Sequence, residues 1–100
     1  MRIFGPPNIN KLKAKENIKG LINALWYDKN PNIGGDAALA LGHIGDSRAL
    51  EPLTRYLFAA DREYASSACV ALANLGDHRA IDPLVTFIER EERNEITGGR

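Results

Sequence analysis

The sequence predicts an all-α protein of stacked helix pairs, and an internal repeat is the first observation that predicts it. Residues 37–57 read AALALGHIGDSRALEPLTRYL, and 31 positions later residues 68–88 read ACVALANLGDHRAIDPLVTFI, with nine of the 21 aligned pairs identical. A period of this size is typical of proteins built from one recurring supersecondary unit. A glycine–aspartate pair followed by a proline also recurs, which divides each unit into two helices joined by a tight turn.

Residues 8–29 are predicted to form a degenerate first repeat. Asn8 fits the N-cap of a short helix that ends near residue 15, and a second helix is expected over residues 17–29. The first unit of a stack has no earlier neighbour to cover, so a short first helix suits an N-terminal cap. The second helix has one predicted buried face with i, i+3, i+4, i+7, i+8 spacing, formed by Ile18, Leu21, Ile22, Leu25 and Trp26.

Two complete repeats are predicted to follow, over residues 30–60 and 61–92. Asn30 and Asp61 precede their first helices and fit the N-cap position. Residues 93–100 have little to bury and are expected to form a frayed tail.

The start of the first complete repeat contains a local conflict. Repeat register begins its first helix at Pro31, but Gly34 and Gly35 each cost about 1 kcal/mol relative to alanine inside a helix, and Asp36 is an alternative cap. We adopt Pro31, because an apolar residue then recurs at the same position of both units. A loose first turn is expected.

The joint between the two helices has a distinct local signal. In the first complete unit Gly45 supplies a left-handed helix stop, and Asp46 follows it to accept backbone donors of the next turn. Pro52 lacks an amide hydrogen and must lie in the first turn of the second helix, which therefore begins near residue 50. The same pattern places the next second helix near residue 81, through Gly76, Asp77 and Pro83.

The composition argues against several classes of partner. The 13 basic and 13 acidic residues cancel, so the chain lacks the dense cationic field that holds a nucleic-acid backbone. Its apolar runs are too short to cross a bilayer or to act as a signal peptide. The lone Cys69 cannot form an internal disulfide, which fits a reducing compartment. We expect a single cytoplasmic domain with no nucleic-acid and no membrane partner.

The string ALGHIGDSRALEPL at residues 40–53 resembles the HEAT-like repeats named after phycobilisome (bilin) lyases, which are about 31 residues long. The resemblance covers about residues 17–90. It implies a right-handed α-solenoid whose second helices line the inner surface. One repeat type of this kind serves scaffolds, chromophore lyases and metal-dependent hydroxylases, so the resemblance implies a fold more directly than a function.

One departure from that family's pattern predicts a binding surface. Tyr27 and Phe58 occupy a second-helix position that is usually lysine-like and exposed in the family. We expect the two rings on neighbouring helices, roughly 10 Å apart, as anchors of a shallow surface for a protein or peptide partner. The alternative is that Phe58 folds over a neighbouring loop and Tyr27 covers the N-terminal cap. The polar residues predicted around the anchors are Glu51, Arg55, Asp82, Thr86 and Glu89.

A second departure predicts self-association. Leu39 and Val70 stand where the outer faces of the family usually carry glutamate. Apolar surface on that side, together with the uncovered ends of a short stack, favours a homodimer as a second mode of interaction.

The sequence predicts no catalytic site, no metal site and no cofactor. A metal needs several convergent ligands, whereas neither His43 nor His78 is followed by glutamate and the chain contains no His-Glu pair. The aspartates that recur after each glycine indicate helix caps, not acids or bases. Arg48 and Arg79 also recur, and each is expected to bind an acid or a carbonyl of a neighbouring repeat.

These patterns together predict a non-enzymatic module for protein–protein interaction or scaffolding. The rival interpretation is an accessory protein similar to the bilin or tetrapyrrole lyases for which the repeat is named. A metal-dependent hydroxylase fragment is a third, weaker interpretation.

Overall fold

The computed structural model of the protein describes residues 6–96, with side chains through residue 93. Six α-helices and two short 3₁₀ turns lie in this range, which contains no strand. In chain order the helices are α1 (Ile9–Ala14), α2 (Ile18–Ala24), α3 (Pro31–Ile44), α4 (Leu50–Ala59), α5 (Arg62–Leu75) and α6 (Ile81–Ile96). The 3₁₀ turns Ser47–Ala49 and His78–Ala80 precede α4 and α6. The prediction of an all-α helical repeat solenoid is confirmed.

The first helices of the units, α1, α3 and α5, pack side by side. α3 lies between α1 and α5, while α2 packs against α3 and α4 packs against α5. α6 contacts α4 and the 3₁₀ turn that precedes it. The core between them contains many buried alanines. The largest fully buried side chains are five leucines: Leu21, Leu41, Leu53, Leu57 and Leu72.

Small residues let α3 approach its neighbours closely. A Cβ atom on Gly42 would lie 2.5 Å from Ala71 Cα on α5, and one on Gly34 would lie 2.6 Å from the backbone oxygen of Leu25. Gly34 and Gly35 are buried within a continuous helix that starts at Pro31, as repeat register predicted. The space beside Gly34 is occupied by another part of the backbone, which favours a residue without a Cβ atom there. The looseness of the first turn stays a prediction.

The turns confirm the predicted glycine stop. Gly45 has φ 81° and Gly76 has φ 73°, in the left-handed region that glycine adopts without steric cost. Asp46 and Asp77 each accept a hydrogen bond from the backbone N–H two residues later, at 2.9 and 3.0 Å. α4 and α6 begin where the prolines predicted.

The prediction that Arg48 and Arg79 bind a neighbouring repeat was wrong. Arg48 Nη2 donates to Asp46 Oδ2 at 2.7 Å, and Arg79 Nη2 donates to Asp77 Oδ2 at 2.6 Å. The carboxylate of each aspartate also accepts a hydrogen bond from the backbone N–H of the same arginine. This bond holds the carboxylate beside the guanidinium group, which donates to it through two nitrogens. These side-chain hydrogen bonds are the main reason that the pKa of both aspartates falls to about 2.

The helices α1 and α3 have the predicted caps. Asn8 Oδ1 accepts from the backbone N–H of Lys11 at 3.0 Å, and Asn30 Oδ1 accepts from that of Asn32 at 3.1 Å. Asp61 occupies the equivalent position before α5, but its side chain makes no cap hydrogen bond. Its backbone carbonyl accepts the first hydrogen bonds of that helix instead.

α2 ends at Ala24, earlier than the predicted residue 29. Beyond it, the backbone N–H groups of Trp26 and Tyr27 donate to carbonyl oxygens three residues earlier, both at 3.2 Å. The chain therefore leaves α2 through a tighter 3₁₀-type turn, which rotates the following side chains away from the core. Trp26 is 46% exposed, although helical spacing predicted it to be buried.

α6 is longer than predicted. It continues to Ile96, so residues 93–96 are helical where fraying was expected. Glutamate and arginine, which dominate this segment, are strong helix formers. An ion pair of 2.8 Å between Arg62 Nε and Glu91 Oε1 also ties α6 to the start of α5. Residues 97–100 of the predicted tail lie outside the described residues.

Candidate binding surface

Tyr27 and Phe58, the two predicted anchors, lie in separate depressions of the surface. The polar residues predicted around them are exposed on two helices: Glu51 and Arg55 on α4, and Asp82, Thr86 and Glu89 on α6. Glu51 Oε1 and Arg55 Nη2 are 3.7 Å apart, a long and solvated ion pair that contributes little to stability.

The depression around Phe58 has a volume of about 380 Å³ and is called the arginine depression here. It lies where α4 ends, α5 begins and α6 passes beside them. Phe58 meets Phe87 in a T-shaped contact with ring centroids 6.0 Å apart, and Arg90 Cζ lies 5.1 Å from the centre of the Phe58 ring. Its lining residues are Leu57, Phe58, Ala60, Arg62, Ala65, Phe87, Arg90, Glu91 and Arg93.

Phe58 is 37% exposed and is held by side chains of the following unit. Contacts with Phe87 and Arg90 fix the orientation of its ring while one side stays open. The sequence did not predict Arg62 or Phe87 at this surface. A signal was present in the repeat register, because Phe87 is the equivalent of Tyr56 one unit earlier.

The depression around Tyr27 has a volume of about 350 Å³ and is called the aromatic–acidic depression. Trp26 and Tyr56 form its centre, with ring centroids 5.6 Å apart in a T-shaped contact. Burial raises the pKa of the Tyr56 phenol, and the charges of Tyr64, Asp36 and Asp61 raise it further. The residues that line this depression are Leu25, Trp26, Tyr27, Asp28, Pro31, Tyr56, Ala59, Ala60, Asp61 and Tyr64.

The two depressions are equivalent positions of successive units. A shift of 31 residues relates Tyr27 to Phe58, and Tyr56 to Phe87. Ala60 lines both, so the depressions adjoin. Their charges are opposite, because the described lining of one contains two aspartates and no lysine or arginine, whereas the other contains three arginines and one glutamate.

The residues predicted for self-association lie on the first helices of the units. Leu39 on α3 and Val70 on α5 are both exposed. Leu39 also lines a third depression, of about 630 Å³, between α1 and α3.

A larger apolar stripe on α6 was not predicted. Ile81, Val85 and Ile88 share one face of the helix and are each about half exposed. Leu57, the α4 equivalent of Ile88, is buried where α5 packs over α4. Helical periodicity identifies such a face as apolar but does not show whether a neighbouring helix covers it.

Three further features bear on chemistry. Among the described residues, no three His, Cys, Asp or Glu side chains converge in a way that could hold a metal ion. Within the same residues, no helix combines the length and apolar character needed to cross a bilayer. Burial raises the pKa of the Cys69 thiol, and the charge of Glu91 raises it further.

Comparison with known families adds one decisive match. A family model described as HEAT repeats matches residues 12–98, which is most of the chain. The chain belongs to the HEAT repeat family. No curated protein and no solved structure matches it. HEAT repeats are commonly modules for protein interaction or scaffolding, which agrees with an elongated stack whose exposed features are recesses and apolar stripes.

Proposed function

We propose that this HEAT repeat chain is a non-enzymatic module that binds a protein or peptide partner along the edge formed by α2, α4 and α6. Tyr27 and Phe58 act as anchors within the two adjoining depressions. We also assign to this surface the exposed polar residues of α4 and α6 that lie outside the two depressions, namely Glu51, Arg55, Asp82, Thr86 and Glu89. Within the HEAT repeats we assign the chain to the phycobilisome-lyase type, with units at 8–29, 30–60 and 61–92.

The observation that carries this proposal is the partly exposed ring of Phe58. A large apolar side chain that remains open to solvent forgoes the stabilisation that full burial would give. Here the ring is also fixed by Phe87 and Arg90, so a partner would lose little side-chain freedom on binding it. Fixed aromatic side chains beside arginine are the residues that most often dominate binding energy at protein interfaces.

The test is affinity capture with two matched variants. The tagged chain, Phe58→Ala and Ile81→Ala are used as baits in an extract of the source cells, and captured proteins are quantified by mass spectrometry. Ile81 is also exposed and apolar on a second helix, but it lies outside both depressions. We expect Phe58→Ala to reduce capture of other proteins by roughly 30-fold, the usual effect of losing an interface hot spot. Ile81→Ala, which changes only the stripe considered below for self-association, should leave capture of other proteins unchanged.

Circular dichroism of each variant controls for loss of fold. Capture of the same proteins at the same level by Phe58→Ala would refute the anchor assignment.

Self-association is the second candidate, and the stripe on α6 favours it. Ile81, Val85 and Ile88 form an apolar face whose exposure to water is unfavourable in free energy. A second copy could cover this face, or the exposed Leu39 and Val70 on the opposite helices. Sedimentation velocity should then show a dimer that Val85→Lys dissociates, and a wild-type monomer at high concentration would exclude it.

A further inference from the structure

We propose that the two depressions bind opposite charges of one extended peptide segment, with a cationic side chain in the aromatic–acidic depression and an anionic side chain in the arginine depression. This inference rests on the proposed function and specifies the chemistry of the partner.

The aromatic–acidic depression has the composition that binds a cation. An ammonium or guanidinium group is attracted to the faces of tryptophan and tyrosine rings, and tryptophan is the strongest of these partners. Trp26 and Tyr27 supply accessible rings, with the buried Tyr56 ring packed against Trp26, and Asp28 and Asp61 add negative charge to the lining. The described lining of this depression contains no basic side chain that would compete with the ligand.

The arginine depression has the composition that binds an anion. Three arginines, Arg62, Arg90 and Arg93, line it together with a single carboxylate, Glu91, which is paired with Arg62. Arg90 Cζ lies over the Phe58 ring, 5.1 Å from its centre. A guanidinium group in such a cation–π contact can still donate two parallel hydrogen bonds to a carboxylate. An aspartate or glutamate of the partner therefore fits this position.

The spacing of the depressions indicates the form of the peptide. They adjoin at Ala60 and are related by one repeat, so their centres are separated by about one interhelical distance, roughly 10 Å. In a polyproline II segment residues i and i+3 point to the same side, roughly 9 Å apart. The segment that fits carries lysine or arginine at one position and aspartate or glutamate three residues away.

The test uses four labelled peptides and the full chain. Dodecapeptides with Lys-Pro-Pro-Glu or Glu-Pro-Pro-Lys at their centre contain both charges in either chain direction, and the prolines hold the polyproline II form. Peptides with Lys-Pro-Pro-Lys and Glu-Pro-Pro-Glu are the controls. We expect fluorescence anisotropy to show that one mixed peptide binds at least tenfold more tightly than either control, and that added salt weakens it.

Charge-reversal variants assign each end of the peptide. Arg90→Glu should weaken the mixed peptide at least tenfold, whereas Lys19→Glu, an equal charge change on exposed α2 surface outside the depressions, should not. Arg90→Glu combined with Arg93→Glu should shift the preference to Lys-Pro-Pro-Lys. Asp28→Arg should shift it to Glu-Pro-Pro-Glu. These gains of binding cannot arise from misfolding.

Two results would overturn the inference. One is that no peptide binds, and the other is that all four bind equally and the reversals have no effect. If Phe58→Ala still abolishes capture from cell extract in either case, the proposed function stands and only the charge assignment fails. If neither the peptides nor the capture respond, both fail.

Discussion

Gly42 allows a test in which helix propensity and packing predict opposite results. Replacing a glycine by alanine in an exposed helix stabilises it by about 1 kcal/mol. At Gly42, however, the new Cβ would lie 2.5 Å from Ala71 Cα and 2.7 Å from the Ala71 backbone oxygen. Carbon atoms in contact are normally about 3.5–4.0 Å apart, so α3 and α5 would have to separate by about 1 Å.

The magnitude follows from what that separation disrupts. The obstructing atoms belong to the backbone of α5, so they cannot move aside as a flexible side chain would. Separation also loosens the contacts of Ala38, Ala68 and the other buried alanines along the two helices. Overpacking of a tight core costs about 1–3 kcal/mol, with more where backbone must shift. We expect Gly42→Ala to lose about 2 kcal/mol net, or roughly 8–16 °C in Tm for a domain of this size.

Urea denaturation followed by circular dichroism at 222 nm measures the effect. Gly35→Ala in the same helix is the matched control, because the nearest atom to its new Cβ is the hydroxyl oxygen of a rotatable side chain, Ser67 Oγ at 3.2 Å, and not backbone. That variant should be neutral or slightly more stable than wild type. If Gly42→Ala were as stable as wild type, the close approach of α3 and α5 would not be as described, and the reasoning would be refuted.

Three further predictions concern the turns and the thiol. Because the pKa of Asp46 and Asp77 is about 2 in the folded chain and ordinarily 3.8, their contribution to stability is present above about pH 4 and is lost as pH falls to 2. Tm should therefore fall more steeply over that window for wild type than for the Asp46→Asn/Asp77→Asn double variant, and equal slopes would contradict this. Gly45→Ala should cost about 1 kcal/mol in urea denaturation, because φ is 81° although the space around the new Cβ is open. The Cys69 thiol, whose pKa is raised, should react more slowly with a disulfide reagent in the native chain than in urea, and equal rates would argue against its burial.

The parts of the fold that sequence predicted are those determined within one unit. The glycine stop at Gly45, the cap at Asp46 and the start of α4 follow from backbone chemistry that acts over a few residues. Repeat register correctly placed the start of α3 at Pro31, although local propensity favoured a later start. The reason is that α3 packs against the corresponding helix of the next unit, which has the same length.

The parts that sequence missed depend on contacts between units. Gly34 was expected to destabilise the helix. In the structure, its lack of a Cβ atom lets the backbone oxygen of the preceding segment approach closely. Trp26 was assigned to the core because periodicity cannot detect where a helix tightens and turns. At the candidate surface Tyr27 and Phe58 were predicted, but the arginines beside Phe58 come from α5 and α6, whose proximity to the end of α4 no local pattern reveals.

The ion pairs of Arg48 with Asp46 and of Arg79 with Asp77 begin and end inside single turns. The other ion pairs of the described residues, Glu51 with Arg55 and Arg62 with Glu91, also lie within single units, so duplication or deletion of a whole unit separates no described ion pair. In such an architecture the number of units can change during evolution at little electrostatic penalty. The depressions between units can meanwhile evolve linings of opposite charge.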